Sequence, residues 1–148
     1  MKRKITEYIV VHCSATTAVM DIGAAEIRRW HMSPDPKDAS KPWKDIGYHF
    51  VIRRDGTKEL GRDIDDVGSH VRGFNSCSVG ICLVGGLEGG KACENFTKAQ
   101  YESLWSLIEV LKHRYPKAEV LGHRDLNVGK ACPSFDAKAW HVNKMLGD

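Results

Sequence analysis

Gly47-Tyr48-His49-Phe50-Val51-Ile52-Arg53-Arg54, then Asp55-Gly56, then Thr57-Lys58-Glu59-Leu60-Gly61 reads as two strands joined by a tight turn. Asp-Gly between two strand-like runs favours a hairpin, and β-branched and aromatic residues fill the first arm. Strict alternation puts Tyr48, Phe50 and Ile52 on one face and His49, Val51 and Arg53 on the other. Elsewhere the chain alternates between strand-like and helix-like segments. A hairpin in that setting predicts an α/β protein with a central mixed β-sheet, not a purely parallel one, flanked by helices.

Upstream of the hairpin, residues 5–12 form a β-branched strand ending at His12, with turn chemistry at residues 14–17. Residues 23–31 repeat Ala24, Ile27 and Trp30 at helical spacing, and residues 33–44, with Pro34, Pro36 and Pro42, read as a polar loop. Downstream, the apolar run 79–84 closed by Gly85-Gly86 is predicted to be a central strand. Thr97 and Gln100 form a capping box opening a helix that Pro116 ends, with Tyr101, Leu104, Trp105, Ile108 and Leu111 as its apolar stripe. A short strand, 118–121, leads into Gly122-His123, and residues 135–146 read as a closing helix capped by Ser134. In such sheets, sites gather beyond the C-terminal ends of strands, where His12 and His123 both fall.

The 148 residues have the length of one domain, 1–148, and 42% hydrophobic with 28% charged residues exclude a disordered chain. A chain of this length buries about 68–70% of its unfolded surface, so it needs no metal or disulfide to hold its core. A net charge of +3, spread along the sequence, is too weak for a duplex nucleic-acid binder. The opening apolar run is interrupted by Glu7 and is no export signal, and no stretch reaches the roughly 18 apolar residues of a membrane span. The expectation is a protein made in a cytosol, without membrane insertion. Cys13, Cys77, Cys82, Cys93 and Cys132 are odd in number and irregularly spaced, which argues against a disulfide framework.

Two familiar strings fail in context. Gly85 to Lys91 has phosphate-loop spacing but Ala92 stands where Ser or Thr belongs, and His123-Arg124-Asp125-Leu126 lacks the later Asn of a kinase loop. What remains is His12, His123 and Cys132, with Lys130 near the cysteine and Tyr48 on the hairpin. Two imidazoles and a thiolate are a known three-ligand set for catalytic zinc. Taken singly, each histidine reads more readily as a strand-end residue hydrogen-bonded in place, Cys132 as a small buried apolar residue, and Lys130 as a solvated side chain.

The segments His12-Cys13-Ser14-Ala15-Thr16, residues 46–57, Gly61-Arg62, Gly68-Ser69-His70, residues 78–86, Phe96-Thr97, Gly122-His123-Arg124-Asp125 and residues 130–136 together resemble the zinc N-acetylmuramoyl-L-alanine amidases. The likeness is nearest to the short T7-type phage lysozymes, with animal peptidoglycan recognition proteins as distant relatives, and runs in order from about residue 5 to residue 146. The resemblance implies that His12, His123 and Cys132 bind one Zn²⁺, that Tyr48 and Lys130 are catalytic, and that His70 lies in the substrate cleft. It implies hydrolysis of the amide between N-acetylmuramic acid and the L-alanine of the peptidoglycan stem peptide, by a monomeric endolysin made in the host cytoplasm and acting on the wall after release. The nearest relatives add a possible second role, binding and restraining a phage RNA polymerase.

Several readings stay open at the level of sequence. Trp43 either lines the groove or lies as a lid over the core. Asp125 either caps a turn or orients a ligand, and the proton of the leaving amine falls to Tyr48 or His70. Competing functions are a non-catalytic peptidoglycan-binding module, disfavoured by the presence of Cys132, and a cysteine hydrolase using Cys132 as nucleophile.

Overall fold

The computed structural model describes residues 1–147. In chain order the elements are β1 (Tyr8–Cys13), β2 (Thr16–Thr17), α1 (Ala24–His31), β3 (Phe50–Ile52), β4 (Lys58–Leu60), a 3-10 turn (Asn75–Cys77), β5 (Ser78–Leu83), β6 (Gly86–Glu88), β7 (Lys91–Ala92), α2 (Lys98–Arg114), β8 (Glu119–Gly122), α3 (His123–Leu126) and α4 (Ala137–Met145). Five strands form the main sheet in the order β4-β3-β5-β1-β8. β3, β5, β1 and β8 run parallel and β4 antiparallel, so the sheet is mixed, as the hairpin predicts.

β5 is the central strand and is buried along its whole length, which is why it reads as continuous apolar sequence instead of alternation. On one face Ile9, Val11, Ile52, Val79, Ile81 and Leu83 pack against Leu104, Ile108 and Leu111 of α2 and the start of α4. On the other face Val51, Cys82 and Val84 meet Ile22, Ala24 and Ile27 around α1, while Val10 and Leu121 pack on Val71. Each buried aliphatic side chain contributes about 1.5–3 kcal/mol. The site occupies this second face, where α1, α3 and the segment before β5 leave the strand ends uncovered.

The α2 capping box forms as predicted: Thr97 Oγ1 accepts from Gln100 N at 3.1 Å, and Gln100 Oε1 accepts from Thr97 N at 3.0 Å. Gln100 is fully buried because its amide also donates to the carbonyls of Ile52 and Val84, tying the helix start to β3 and β5. The Asp55-Gly56 turn forms too, with Gly56 in the left-handed region at φ 89°.

Four expectations need correction. The last helix is capped by Asp136, whose carboxylate accepts from Ala139 N, while Ser134 sits at φ 73° and donates to Gly86 O. Trp30 is 40% exposed and does not share the burial of Ala24 and Ile27. The stretch after His12 is not only a turn, because Thr16–Thr17 pairs with Gly86–Glu88 in a small sheet, β2-β6-β7. Tyr48 does not share the Phe50 face: it packs with Val51, Ile46 and Ile22 on the site face. Regular alternation starts only at Phe50, because upstream of it the His49 ring, and not a backbone carbonyl, takes up the Gly80 N–H. Among the described residues no helix is long and apolar enough to cross a membrane.

His49 is structural. Its Nδ1 accepts from Gly80 N at 3.0 Å and its Nε2–H donates to Asp66 O at 2.8 Å, which requires the neutral ring. Burial pushes its pKa down from 6.5 to about 4. Below pH 6.5 the unfolded chain therefore binds a proton that the folded chain refuses, and stability falls as pH drops towards 4. The difference amounts to about 3 kcal/mol for this ring alone at the acid end. Urea unfolding of chelator-treated protein is expected to show a midpoint that falls steadily between pH 7 and pH 4.5, less steeply in His49→Gln. Equal midpoints at the two pH values would show that the ring is not buried neutral.

Candidate metal and catalytic site

The parallel register of β1 with β8 pairs Val11 with Gly122, so the next residue of each segment, His12 and His123, emerges at the same sheet edge. Their rings lie 4.7 Å apart. The loop after α3 returns Cys132 beside them: its Sγ is 3.7 Å from His12 Nδ1 and accepts from Cys13 N at 3.2 Å. One ligand atom from each of His12, His123 and Cys132 lies within 4.8 Å of the others.

The donor set fits a cation of the zinc class: soft sulfur, two nitrogens, no carboxylate in the group. Burial, then the neighbouring His70 and His123, hold the His12 pKa well below the usual imidazole range, so its lone pair is free near neutral pH. Burial likewise lowers His123. The adjacent Cys13 thiol and burial push Cys132 far up, since two thiolates cannot stand side by side in an apolar setting. A bound dication removes that obstacle by stabilising the thiolate directly.

The cluster opens into a cleft of about 920 Å³. His31, Trp43 and Tyr48 form its aromatic wall, with ring centroids 4.6 Å (His31–Trp43) and 5.5 Å (His31–Tyr48) apart. Trp43 thus lines the groove and does not cover the core; its indole N–H donates to Ser40 Oγ. Tyr48 sits 5.1 Å from the His12 ring, and burial with nearby Cys82, Cys132 and Cys13 pushes its phenol well above its ordinary pKa, so it carries its proton. Lys130 is exposed and lines the cleft together with His123 and Asn127. His70 reaches the cleft floor but is only 9% exposed, and its Nδ1 lies 2.8 Å from His12 Nε2. Asp125 caps α3 by accepting from Gly122 N.

Three participants escape a sequence reading. His31 is the last residue of α1; its Nδ1 accepts from Gly47 N and it fills the wall between Trp43 and Tyr48. Asn127, whose Oδ1 is 2.9 Å from His123 Nε2, carried no motif. Cys13 lies outside the ligand group, as its strand parity predicts, but its backbone holds Cys132; Cys82 is fully buried core.

A cluster of two histidines and a cysteine at the C-terminal edge of a mixed α/β sheet, in a cleft with a protonated tyrosine and a lysine, is a hydrolase-type site. Comparison with known proteins places it. Residues 1–135 match the N-acetylmuramoyl-L-alanine amidase family. The chain is 54% identical over 146 residues to the endolysin of Klebsiella phage KP32, covering 98% of this chain and 91% of that one. It is 48% identical over 146 residues to the endolysin of Escherichia phage T7, with the same coverage of 98% and 91%. Its fold superposes on the N-acetylmuramoyl-L-alanine amidase LysC from Clostridium intestinale URNW with a TM-score of 0.76 at 28% identity, covering 96% of this chain and 85% of that one. The chain belongs to the N-acetylmuramoyl-L-alanine amidase family, and its class of reaction is amide hydrolysis in peptidoglycan.

Gly80 forms the floor under His70: a Cβ there would lie 2.7 Å from both Cγ and Nδ1 of that ring. Gly80→Ala is expected to displace the imidazole and destabilise the fold by about 1–3 kcal/mol, the usual cost of overpacking. Chemical denaturation checks this, and a wild-type midpoint would mean that the ring is free to move.

Proposed function

We propose that this amidase works through a zinc ion held by His12, His123 and Cys132, cutting the bond between the lactyl group of N-acetylmuramic acid and the L-alanine of the stem peptide, as a phage or prophage lysin. The observation that carries the reading is the convergence of two neutral imidazoles and one thiol within 4.8 Å of one another, with one of them, His123, lining the cleft together with Tyr48 and Lys130. When bound, zinc would lower the pKa of a water to about 7 and polarise the scissile carbonyl as a Lewis acid.

The remaining work falls to the chain itself. Attack on the amide builds negative charge on the carbonyl oxygen, and the Tyr48 hydroxyl and Lys130 ammonium are the donors on the cleft walls suited to stabilise it. Because burial keeps the Tyr48 phenol protonated and it lies beside His12, any proton it passes to the leaving amine has to be replaced by the proton released from the attacking water, leaving the phenol unchanged over the cycle. His70 is a poor candidate for that role, with both ring nitrogens engaged inside the protein. The aromatic wall of Trp43, His31 and Tyr48 offers flat apolar surface to sugar and lactyl groups, and Lys130 and Arg72 offer charge to stem-peptide carboxylates.

The same electrostatics weigh against cysteine-nucleophile chemistry. A catalytic thiol needs an ionised sulfur paired with a protonated imidazole, whereas here the Cys132 pKa is raised and the His12 pKa is lowered.

Mass spectrometry of a defined muramyl-peptide digest is expected to show a free stem peptide with an L-alanine amino terminus, lost on chelation and restored by Zn²⁺. Cleavage that survives chelation but stops on thiol alkylation would instead establish the cysteine route. Lys130→Ala is expected to lower turnover about 10²–10³-fold, as loss of one oxyanion donor does, with metal content unchanged. Wild-type turnover in that variant would remove Lys130 from the mechanism.

A further inference from the structure

The outer nitrogens of both candidate ligand histidines are held by hydrogen-bond chains with a fixed direction. Ser78 Oγ donates to Phe74 O at 2.7 Å, so towards His70 Nε2, 3.2 Å away, it can only accept. His70 therefore carries its proton on Nε2 and presents a bare Nδ1 to His12 Nε2 at 2.8 Å. That contact requires His12 to be protonated on Nε2, which leaves His12 Nδ1 as the lone pair facing Cys132 Sγ. The second chain runs in the same sense. Asn127 Nδ2 donates to Arg72 O at 3.2 Å, which orients Oδ1 to accept from His123 Nε2 at 2.9 Å and leaves His123 Nδ1 bare.

Both chains end on carbonyls of one short segment, Arg72 and Phe74. That segment is itself clamped, with Asn75 Oδ1 accepting from the backbone N–H groups of His70 and Val71 at 2.8 Å each. The missing side chain of Gly80 lets the His70 ring lie directly against the strand, where a Cβ would come within 2.7 Å of it.

We propose that residues 70–78 are a template that sets which nitrogen each histidine offers, with His70 and Asn127 as positioning residues that hold His12 and His123 in the Nε2–H form so that both present Nδ1. The proposal rests on the zinc reading for its consequence, not for its geometry. A ring free to exchange tautomers offers the wrong nitrogen part of the time, and partners of this outer kind typically change metal affinity about 10–100-fold. His70 on this account acts through His12 and does not bind substrate.

The test begins with the wild-type chain after chelation. Long-range ¹⁵N–¹H correlation of the imidazoles is expected to show the Nε2–H tautomer at both His12 and His123; an Nδ1–H tautomer at either one overturns the proposal. Competition for Zn²⁺ against a chromophoric chelator is then expected to show 10–100-fold weaker binding in His70→Leu and in Asn127→Leu, with the tautomer average shifting only at the histidine each one contacts. His70→Asn, whose side-chain oxygen replaces the lost acceptor, is expected to recover most of the affinity. Wild-type Zn²⁺ affinity in both leucine variants overturns the proposal. Failure of the wild-type chain to bind Zn²⁺, with both tautomers as stated, overturns the zinc reading and leaves the template standing.

Discussion

The parallel pairing of β1 between β5 and β8 is the constraint on which the rest of this molecule depends. β1 is buried on both faces and takes its register from two neighbours at once, so sliding it by one residue would turn its apolar side chains to the wrong layers and His12 away from the site. The pairing of Val11 with Gly122 brings His12 level with His123, although 111 positions separate them in the chain. Everything chemical about the site is added around that coincidence of strand ends.

Seen from this register, the two faces of the sheet divide the labour. The α2 and α4 face is a conventional apolar layer whose helix start is locked to the strands through buried Gln100. The opposite face carries a thinner apolar layer and an unusual number of buried polar rings, His12, His49 and His70, each satisfied by a directed hydrogen bond. Burying imidazoles is costly unless they stay neutral and paired, and their lowered pKa values are that cost expressed as protonation. The same burial that holds these rings neutral keeps lone pairs available where a metal would need them.

The cleft combines rigid and exposed parts in a way that suits a polymeric substrate. It is lined by the clamped segment before β5, by His123 at the end of a strand, and by loop residues that include Trp43, Tyr48 and Lys130. Of the candidate ligands His12 is buried and His123 and Cys132 are half-buried, whereas Lys130 is exposed. The similarity to phage endolysins extends over 98% of the chain.

Local sequence chemistry by itself determined the element types: the Asp-Gly hairpin, the Thr97–Gln100 capping box, the unbroken apolar run of β5 and the mixed sheet they imply. It also supplied the residue types of the site, because two histidines after strands and a Cys-Pro segment are visible without any fold. What only the tertiary structure decided is which side chains meet. Tyr48 changed faces because the ladder begins at Phe50 and His49 replaces a backbone acceptor, a substitution that alternation cannot register. Asp136 displaced Ser134 as a cap because a positive φ and the carbonyl of Gly86 claim the serine. His31 and the His70–Ser78 chain entered the site through partners 8 to 58 residues away, and Asn127, four residues from His123, is oriented there by the Arg72 carbonyl 55 residues away. Periodicity and capping are properties of neighbouring residues, whereas ring orientation depends on strand register and on hydrogen bonds across the sheet, and those exist only once the chain has folded.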